Sequence, residues 1–466
     1  MATTQVLGKR RFAVAYWQNP ERRSLLLLLG AAVLVRLLLA PYHGFFGDLQ
    51  TYVQWGVSFD RDPLHFYANT VTAEYTPFTI YLYGLLDLPI LLLAHLMGTP
   101  ASFTLAHAPL LTSYMKLPDL VAEVALTGLL YGWVRRVADH RWALVAAAAF
   151  AFSPTILLVG MAYGQTDAIY AVCAVSALVL VTRGRAGWAG VWLATAVMVK
   201  PTPVFLAVLP VVYLWRWQGW RAVGRFGLAG GLVALLGWLP FLLPPQPQVL
   251  AWLHNVSVNN LPLASYSAYN LWWALFIPYH PSNTPVLGPL SPEFIGLSLF
   301  AAMYLLAGYA VWRDRSPAVF VLAAALLALG FFAFTVQQHE RFLYLALPSL
   351  LLATGFTVLR RSAVWLYVVT SAFLFANTVL VLITHDRTSN TGLPVSGLAV
   401  YFLAHPQPLR LLGVVCVGIV TATAIVLIRH AHGRAARGAS SKASSRTGNG
   451  DPLTPGLAPC AEKSDT

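Results

Sequence analysis

Ser24-Leu-Leu-Leu-Leu-Leu-Gly-Ala-Ala-Val-Leu-Val-Arg36-Leu-Leu-Leu-Ala40, followed shortly by His43-Gly-Phe-Phe-Gly-Asp48-Leu-Gln-Thr-Tyr52-Val-Gln-Trp55, decides how the rest of the chain is read. The first run is apolar and long enough to span a bilayer. Lys9, Arg10, Arg11, Arg22 and Arg23 precede it, in the manner of a signal peptide. The run contains Arg36, is long for a secretory core and has no clear small-x-small cleavage site, so it reads as a retained signal anchor. The second run places a carboxylate a few residues beyond the membrane helix, on a glycine-containing turn before an aromatic amphipathic segment. Asp48 therefore belongs at the level of the lipid headgroups. A base acting on a lipid-linked substrate would sit there, and so would an aspartate that only caps a surface helix.

The composition of the whole chain agrees with the first run. Of 466 residues, 58% are hydrophobic and 10% charged, and the mean hydropathy is +0.65. Soluble domains carry about 25% charged residues, so this is an all-α polytopic membrane protein. The net charge of +13 does not point to nucleic acid, because the basic residues recur in short clusters between apolar runs. Cys173, Cys416 and Cys460 show no spacing for a disulfide or a metal site.

Apolar runs fall at about 24–41, 77–97, 113–134, 141–160, 165–182, 188–200, 201–217, 226–243, 296–312, 317–336, 342–359, 363–383 and 409–429. They predict a bundle of about 12–13 transmembrane helices over 24–429, with 1–23 a cytoplasmic N-terminus and 430–466 a disordered cytoplasmic tail. Every second joint is basic: Arg135/Arg136, Arg183/Arg185, Arg216/Arg221/Arg225, Arg313/Arg315, Arg360/Arg361 and Arg429/Arg434/Arg437. These joints face the cytoplasm by the positive-inside rule. The alternation closes if 77–97 makes no net crossing or if 98–112 crosses back; Pro77, Asp87, Pro89 and Pro100 fit a broken or re-entrant hairpin.

Two long external loops remain, about 42–76 and 244–295. The first holds Asp48, Asp60, Asp62 and Glu74; for the last three, simple solvation is the ordinary account. The second mixes Trp252, His254, Asn255, Asn259, Asn260, Tyr266, Tyr269, Asn270, Trp272 and Trp273, a composition suited to a sugar and equally to an interfacial aromatic belt. Lys116, Asp119 and Glu123 share one face of a helix started by Pro118. A charge at the centre of a membrane helix costs about 2.5–3.5 kcal/mol, so this face turns inward, as an ion-pair seam or as part of a site. Tyr163-Gly-Gln165-Thr-Asp167 opens a span at its external end, where Asp167 also suits the helix dipole. Lys200-Pro201 and His339-Glu340-Arg341 bring cations to the same level, with Arg341 able to fork onto a phosphate.

In this order and sidedness, these motifs resemble the integral-membrane glycosyltransferases of the glycosyltransferase-C superfamily, which use polyprenyl-phosphate sugars on the non-cytoplasmic face. The similarity covers about 24–360 and looks closest to dolichyl-phosphate-glucose glucosyltransferases and to mannosyltransferases using dolichyl-phosphate mannose. Where the glucosyltransferases have Tyr-Pro-Pro, this chain has Tyr75-Thr76-Pro77. Their His-Glu-Lys reads His339-Glu340-Arg341, which keeps the positive charge and leaves the sugar open.

The resemblance implies an inverting hexosyltransferase that moves mannose or glucose from a polyprenyl-phosphate donor to a lipid-linked glycan, glycolipid or protein acceptor at the bilayer. Asp48 carries over as the catalytic base, and Lys200, His339 and Arg341 as the residues for the donor phosphate. Glu74, Tyr75, Lys116, Asp119, Gln165, Asp167 and Glu340 carry over as substrate-binding residues. No cofactor is expected, since the phosphate leaving group needs charge stabilisation and not a proton. A divalent metal is not required, although Asp48 and Asp167 would be its ligands in a metal-using variant. The alternative is a membrane transporter or flippase, which predicts charges at the midplane and an internal repeat. Most ionisable groups here sit at span ends, Arg36 and Glu123 excepted, and no repeat is visible. The Ala/Arg-rich composition and the lack of a retrieval tail point to a prokaryotic plasma membrane.

Overall fold

The computed structural model describes residues 19–42, 46–70, 73–98, 109–243, 249, 262–275, 277–389, 401, 405 and 407–447. Of the features read from sequence, residues 1–18 with Lys9, Arg10 and Arg11, His43 to Phe45, Pro100, Trp252 to Asn260 and the chain beyond Thr447 lie outside them. Among the described residues the chain is helical with no strand, apart from isolated bridges at Leu263–Pro281 and Leu287–Leu290.

Local signals start the helices. Asn19, Asp139, Ser291 and Ser316 accept backbone N–H bonds as N-caps, and Pro20, Pro77, Pro292 and Pro317 occupy first-turn positions where no N–H is missed. Among the described residues seven helices are long and apolar enough to cross a membrane: Leu117–Val137, His140–Tyr163, Trp220–Leu242, Pro292–Arg313, Pro317–Phe334, Thr357–Ile383 and Gln407–His432. Pro20–Leu39, which carries Arg22, Arg23 and Arg36, and Pro77–Leu96 are of similar length, and the remaining expected spans are shorter or interrupted. Run 201–217 is a 3₁₀ turn, Thr202–Leu206, followed by Val208–Gln218, and run 342–359 divides into Glu340–Leu343 and Ala346–Thr354.

Burial sorts the helices into layers. Pro317–Phe334 is apolar all round and 89% buried, the central post. Trp220–Leu242 is only 17% buried and turns its leucines outward to lipid. It packs backbone to backbone on Ala186–Val199, because a Cβ at Gly190 would run into the Phe226 carbonyl.

The bundle has two chemically different ends. At one, Arg135 pairs with Glu21, the Tyr213 hydroxyl donates to the Arg315 carbonyl, Gln218 donates to Val181, and Trp142 donates to Thr354 beneath the Arg360 guanidinium. The arginine joints collect there. At the other end lie Asp48, Glu74, Lys116, Asp167, Lys200 and His339 to Arg341.

Two sequence expectations change. Run 77–97 is a single helix, Pro77–Leu96, with Pro89 inside it, not a broken hairpin. The Lys116 ammonium donates to the Tyr42 carbonyl, so the segment between them ends where it began and makes no net crossing. The tail expected to be disordered from 430 continues the Gln407 helix to Thr447, because its Ala, Arg and Lys are good helix formers.

Candidate active site

Asp48 sits in the first turn of the helix Phe46–Arg61. The apolar face of that helix, Leu49, Tyr52 and Val53, packs against Ile80 and Tyr83 of Pro77–Leu96. Gly56 and Gly84 permit this approach: a Cβ at either would collide with Asp87 or Phe59 of the facing helix. Thr76 and Thr79 donate to the carbonyls of Val197 and Val199, at 2.8 and 2.6 Å, and fix this pair of helices beside Lys200.

Opposite Asp48 the chain makes two unusual turns. Leu158–Tyr163 is a π-helix that ends on Gly164, at φ 85°, and a Cβ on Gly164 would meet Lys116 Cε at 2.9 Å. Such π-turns recur at functional sites because they re-aim the residues that follow; here those are Tyr163 and Gln165. Lys116 braces the turn by donating to the Met161 carbonyl at 2.6 Å. Burial pushes its ammonium down to about 8, with Asp119 opposing the shift. Gln337 is the other strained point, a non-glycine at φ 61° immediately before Gln338 to Arg341.

Arg341 is the hub. Its guanidinium meets Glu340 at 2.9 Å, Asp48 Oδ2 at 3.3 Å and Asp167 at 3.9 Å, and lies over the Tyr163 ring. Burial works against its charge, but Glu340 and Asp48 outweigh burial and keep it protonated. Burial also pushes the Glu340 carboxyl up, yet Arg341, His339 and the Ser267 hydroxyl together bring it from the ordinary 4.5 down to about 2. Gln165 donates to Asp48 Oδ2 at 2.7 Å.

A cavity of about 220 Å³ opens over this group, lined by Asp48, Glu74, Tyr163, His339, Glu340 and Arg341, with Tyr266 and Ser267 from the second loop and Val381 and Leu382 from Thr357–Ser389. Of the residues expected to form a site, Asp48, Glu74, His339, Glu340 and Arg341 thus share one wall. Tyr75, Gln165, Asp167 and Lys200 form a buried layer behind it. Lys200 is 2% exposed, bound to Asp167 at 3.2 Å and covered by the rings of Tyr75, Tyr170 and Phe342. Lys116 and Asp119 are likewise buried and do not line the cavity. Glu123 takes no part: it pairs with Arg36, the two in-span charges neutralising each other within the bundle. Asp48 and Asp167 are bridged by Arg341, and among the described residues no three His, Cys, Asp or Glu side chains converge as a metal set.

Sequence reasoning missed Ser267, Val381 and Leu382. The last two lie in an apolar run with no polar mark, and only the Ser265-Tyr-Ser267 break in the second loop signals that region.

Residues 99–337 match the model of Glycosyltransferase family 87. The chain belongs to that family. No curated protein matches it. As a family 87 glycosyltransferase it carries Lys116, Tyr163, Gln165, Asp167, Lys200, Tyr266 and Ser267 within the matched stretch. The wall formed by Asp48, Glu74 and His339 to Arg341 is contributed from either side of it.

Proposed function

We propose that this glycosyltransferase moves a hexose, mannose or glucose, from a polyprenyl-phosphate donor to a lipid-linked glycan, glycolipid or protein acceptor, with inversion, on the non-cytoplasmic face. The observation that carries the reading is the meeting of Asp48 with the His339–Arg341 corner across one cavity, at the end of the bundle opposite the arginine joints. In the reaction the acceptor oxygen forms a bond to the anomeric carbon while the bond from that carbon to the phosphate oxygen breaks. The acceptor proton passes to Asp48, and the polyprenyl phosphate departs with the electron pair. Arg341 and His339 offset the phosphate charge, while Lys200, sealed behind Asp167, sustains the positive field from the second layer. Glu74 and Glu340 accept bonds from sugar hydroxyls, and Tyr163 and Tyr266 offer ring faces to the sugar. The cavity is below the ~300–1,000 Å³ of drug-sized ligand sites, which suits one sugar ring.

The test is to incubate the purified protein with a panel of labelled lipid-phosphate sugars and with Asp48→Asn. Transfer from one hexosyl donor, reduced on the order of 10²- to 10⁴-fold by Asp48→Asn at unchanged protein yield, is the expected result. Unimpaired transfer by the variant would remove Asp48 from the chemistry.

A further inference from the structure

Arg341 and Gln165 both reach the same oxygen of Asp48, Oδ2, at 3.3 and 2.7 Å. The two donors have different prospects once substrate arrives. Arg341 lines the cavity and is the group a donor phosphate would engage, which draws its guanidinium away from Asp48. Gln165 is 0% exposed and does not line the cavity, so it touches no substrate. Its amide is held from behind: the Tyr52 hydroxyl donates to Gln165 Oε1 at 3.2 Å and lies 3.1 Å from the Tyr75 hydroxyl. With Tyr52 donating forward, its oxygen is left to accept from Tyr75, so the string runs Tyr75, Tyr52, Gln165, Asp48 with every donor pointing toward the carboxylate. The carboxylate settles which end of the Gln165 amide faces it, since a reversed amide would set Oε1 against Oδ2 of Asp48. Burial, with Tyr75 and Asp48 beside it, pushes the Tyr52 hydroxyl well above its ordinary range and keeps it a donor. Tyr52 is itself immobilised, stacked on Tyr83 and tilted against Trp55.

We propose that Tyr52 and Gln165 are positioning residues: they hold Oδ2 of Asp48 through a neutral, buried string while Arg341 turns to the phosphate, leaving Oδ1 to take the acceptor proton. The proposal rests on Asp48 being the base. A neutral anchor is what such a base needs, because a second fixed cation would draw off the basicity the proton transfer uses. The string places the carboxylate from three separate elements: the helix bearing Asp48 and Tyr52, the residue before Thr76, and the turn after Gly164.

The experiment compares Gln165→Met, which keeps the side-chain length and removes the amide, with Tyr52→Phe, which removes one oxygen, and with the double variant. Full-length protein in native-membrane vesicles, which supply acceptor, is given labelled polyprenyl-phosphate mannose and glucose. Each single variant is expected to lower kcat by on the order of 10- to 10²-fold, the cost of misplacing a catalytic group, with the donor KM unchanged. Because Tyr52 acts only through Gln165, the double variant falls no further than Gln165→Met alone. Multiplying losses, a change confined to KM, or wild-type kcat in Gln165→Met would overturn the proposal. Thermal midpoints in detergent separate these outcomes from misfolding, and Tyr52→Phe keeps the test alive if Gln165→Met is unstable. Asp48→Asn run alongside tells the two readings apart. An inactive Asp48→Asn with a fully active Gln165→Met removes only the string, whereas an active Asp48→Asn removes the base.

Discussion

At the residue scale the site is a problem of charge placement. Three carboxylates, those of Asp48, Asp167 and Glu340, surround one guanidinium, and Asp167 is shared with Lys200. Glu340 shows what this does to a buried acid in the loop between Pro317–Phe334 and Ala346–Thr354. Its folded value, about 2, lies below the ordinary 4.5, so the folded state binds the proton more weakly than the unfolded chain. Its contribution to stability is therefore complete above 4.5 and is lost as the pH falls through about 2. The expected outcome is that wild type gains thermal stability over Glu340→Gln as the pH rises through that window. Parallel pH curves for the two proteins would mean that Glu340 is not held as an anion.

At the element scale, hydropathy reads where helices lie and fails to read where they break. Pro317–Phe334 and Gln407 onward were plain in the sequence, being uniformly apolar runs with caps or arginines at their ends. The π-turn at Leu158–Tyr163 and the 3₁₀ turn at Glu340–Leu343 were not, because the groups that hold them, Lys116 on the Met161 carbonyl and Ser267 and Asp48 on Glu340 and Arg341, come from distant parts of the chain. The site followed the same rule. Motif order groups Asp48 with Arg341, but nothing local distinguishes Arg341, on the cavity wall, from Lys200, sealed behind it by Asp167 and three rings. Arg36 and Glu123 show the converse: each was an anomaly alone, and the pair explains both. Leaving one of two buried ions without its partner costs about 3–5 kcal/mol, whereas replacing both with apolar groups is often neutral. Arg36→Met is accordingly expected to lower the thermal midpoint in detergent sharply, and Arg36→Met with Glu123→Met to recover most of the loss. A double variant no better than the single one would show that packing, not charge, sets the cost.

At the scale of the whole molecule, the division into an arginine end and a mixed-charge end makes an orientation testable. In a Cys460→Ser background, where the described Cys173 and Cys416 are buried, single exposed cysteines report which end meets which compartment. Asn283→Cys, beside the cavity end, is expected to react with a membrane-impermeant thiol reagent in intact cells. Arg185→Cys, at the arginine end, reacts only after permeabilisation. The reverse pattern would place the proposed chemistry in the wrong compartment for a polyprenyl-linked donor. The Lys116 contact with the Tyr42 carbonyl bears on the history of such a molecule. A stretch whose two feet already stand together can be lengthened, trimmed or exchanged at little entropic cost and without re-threading the helices on either side. The portion that carries Asp48 can therefore change in length without altering which way the helices on either side of it run.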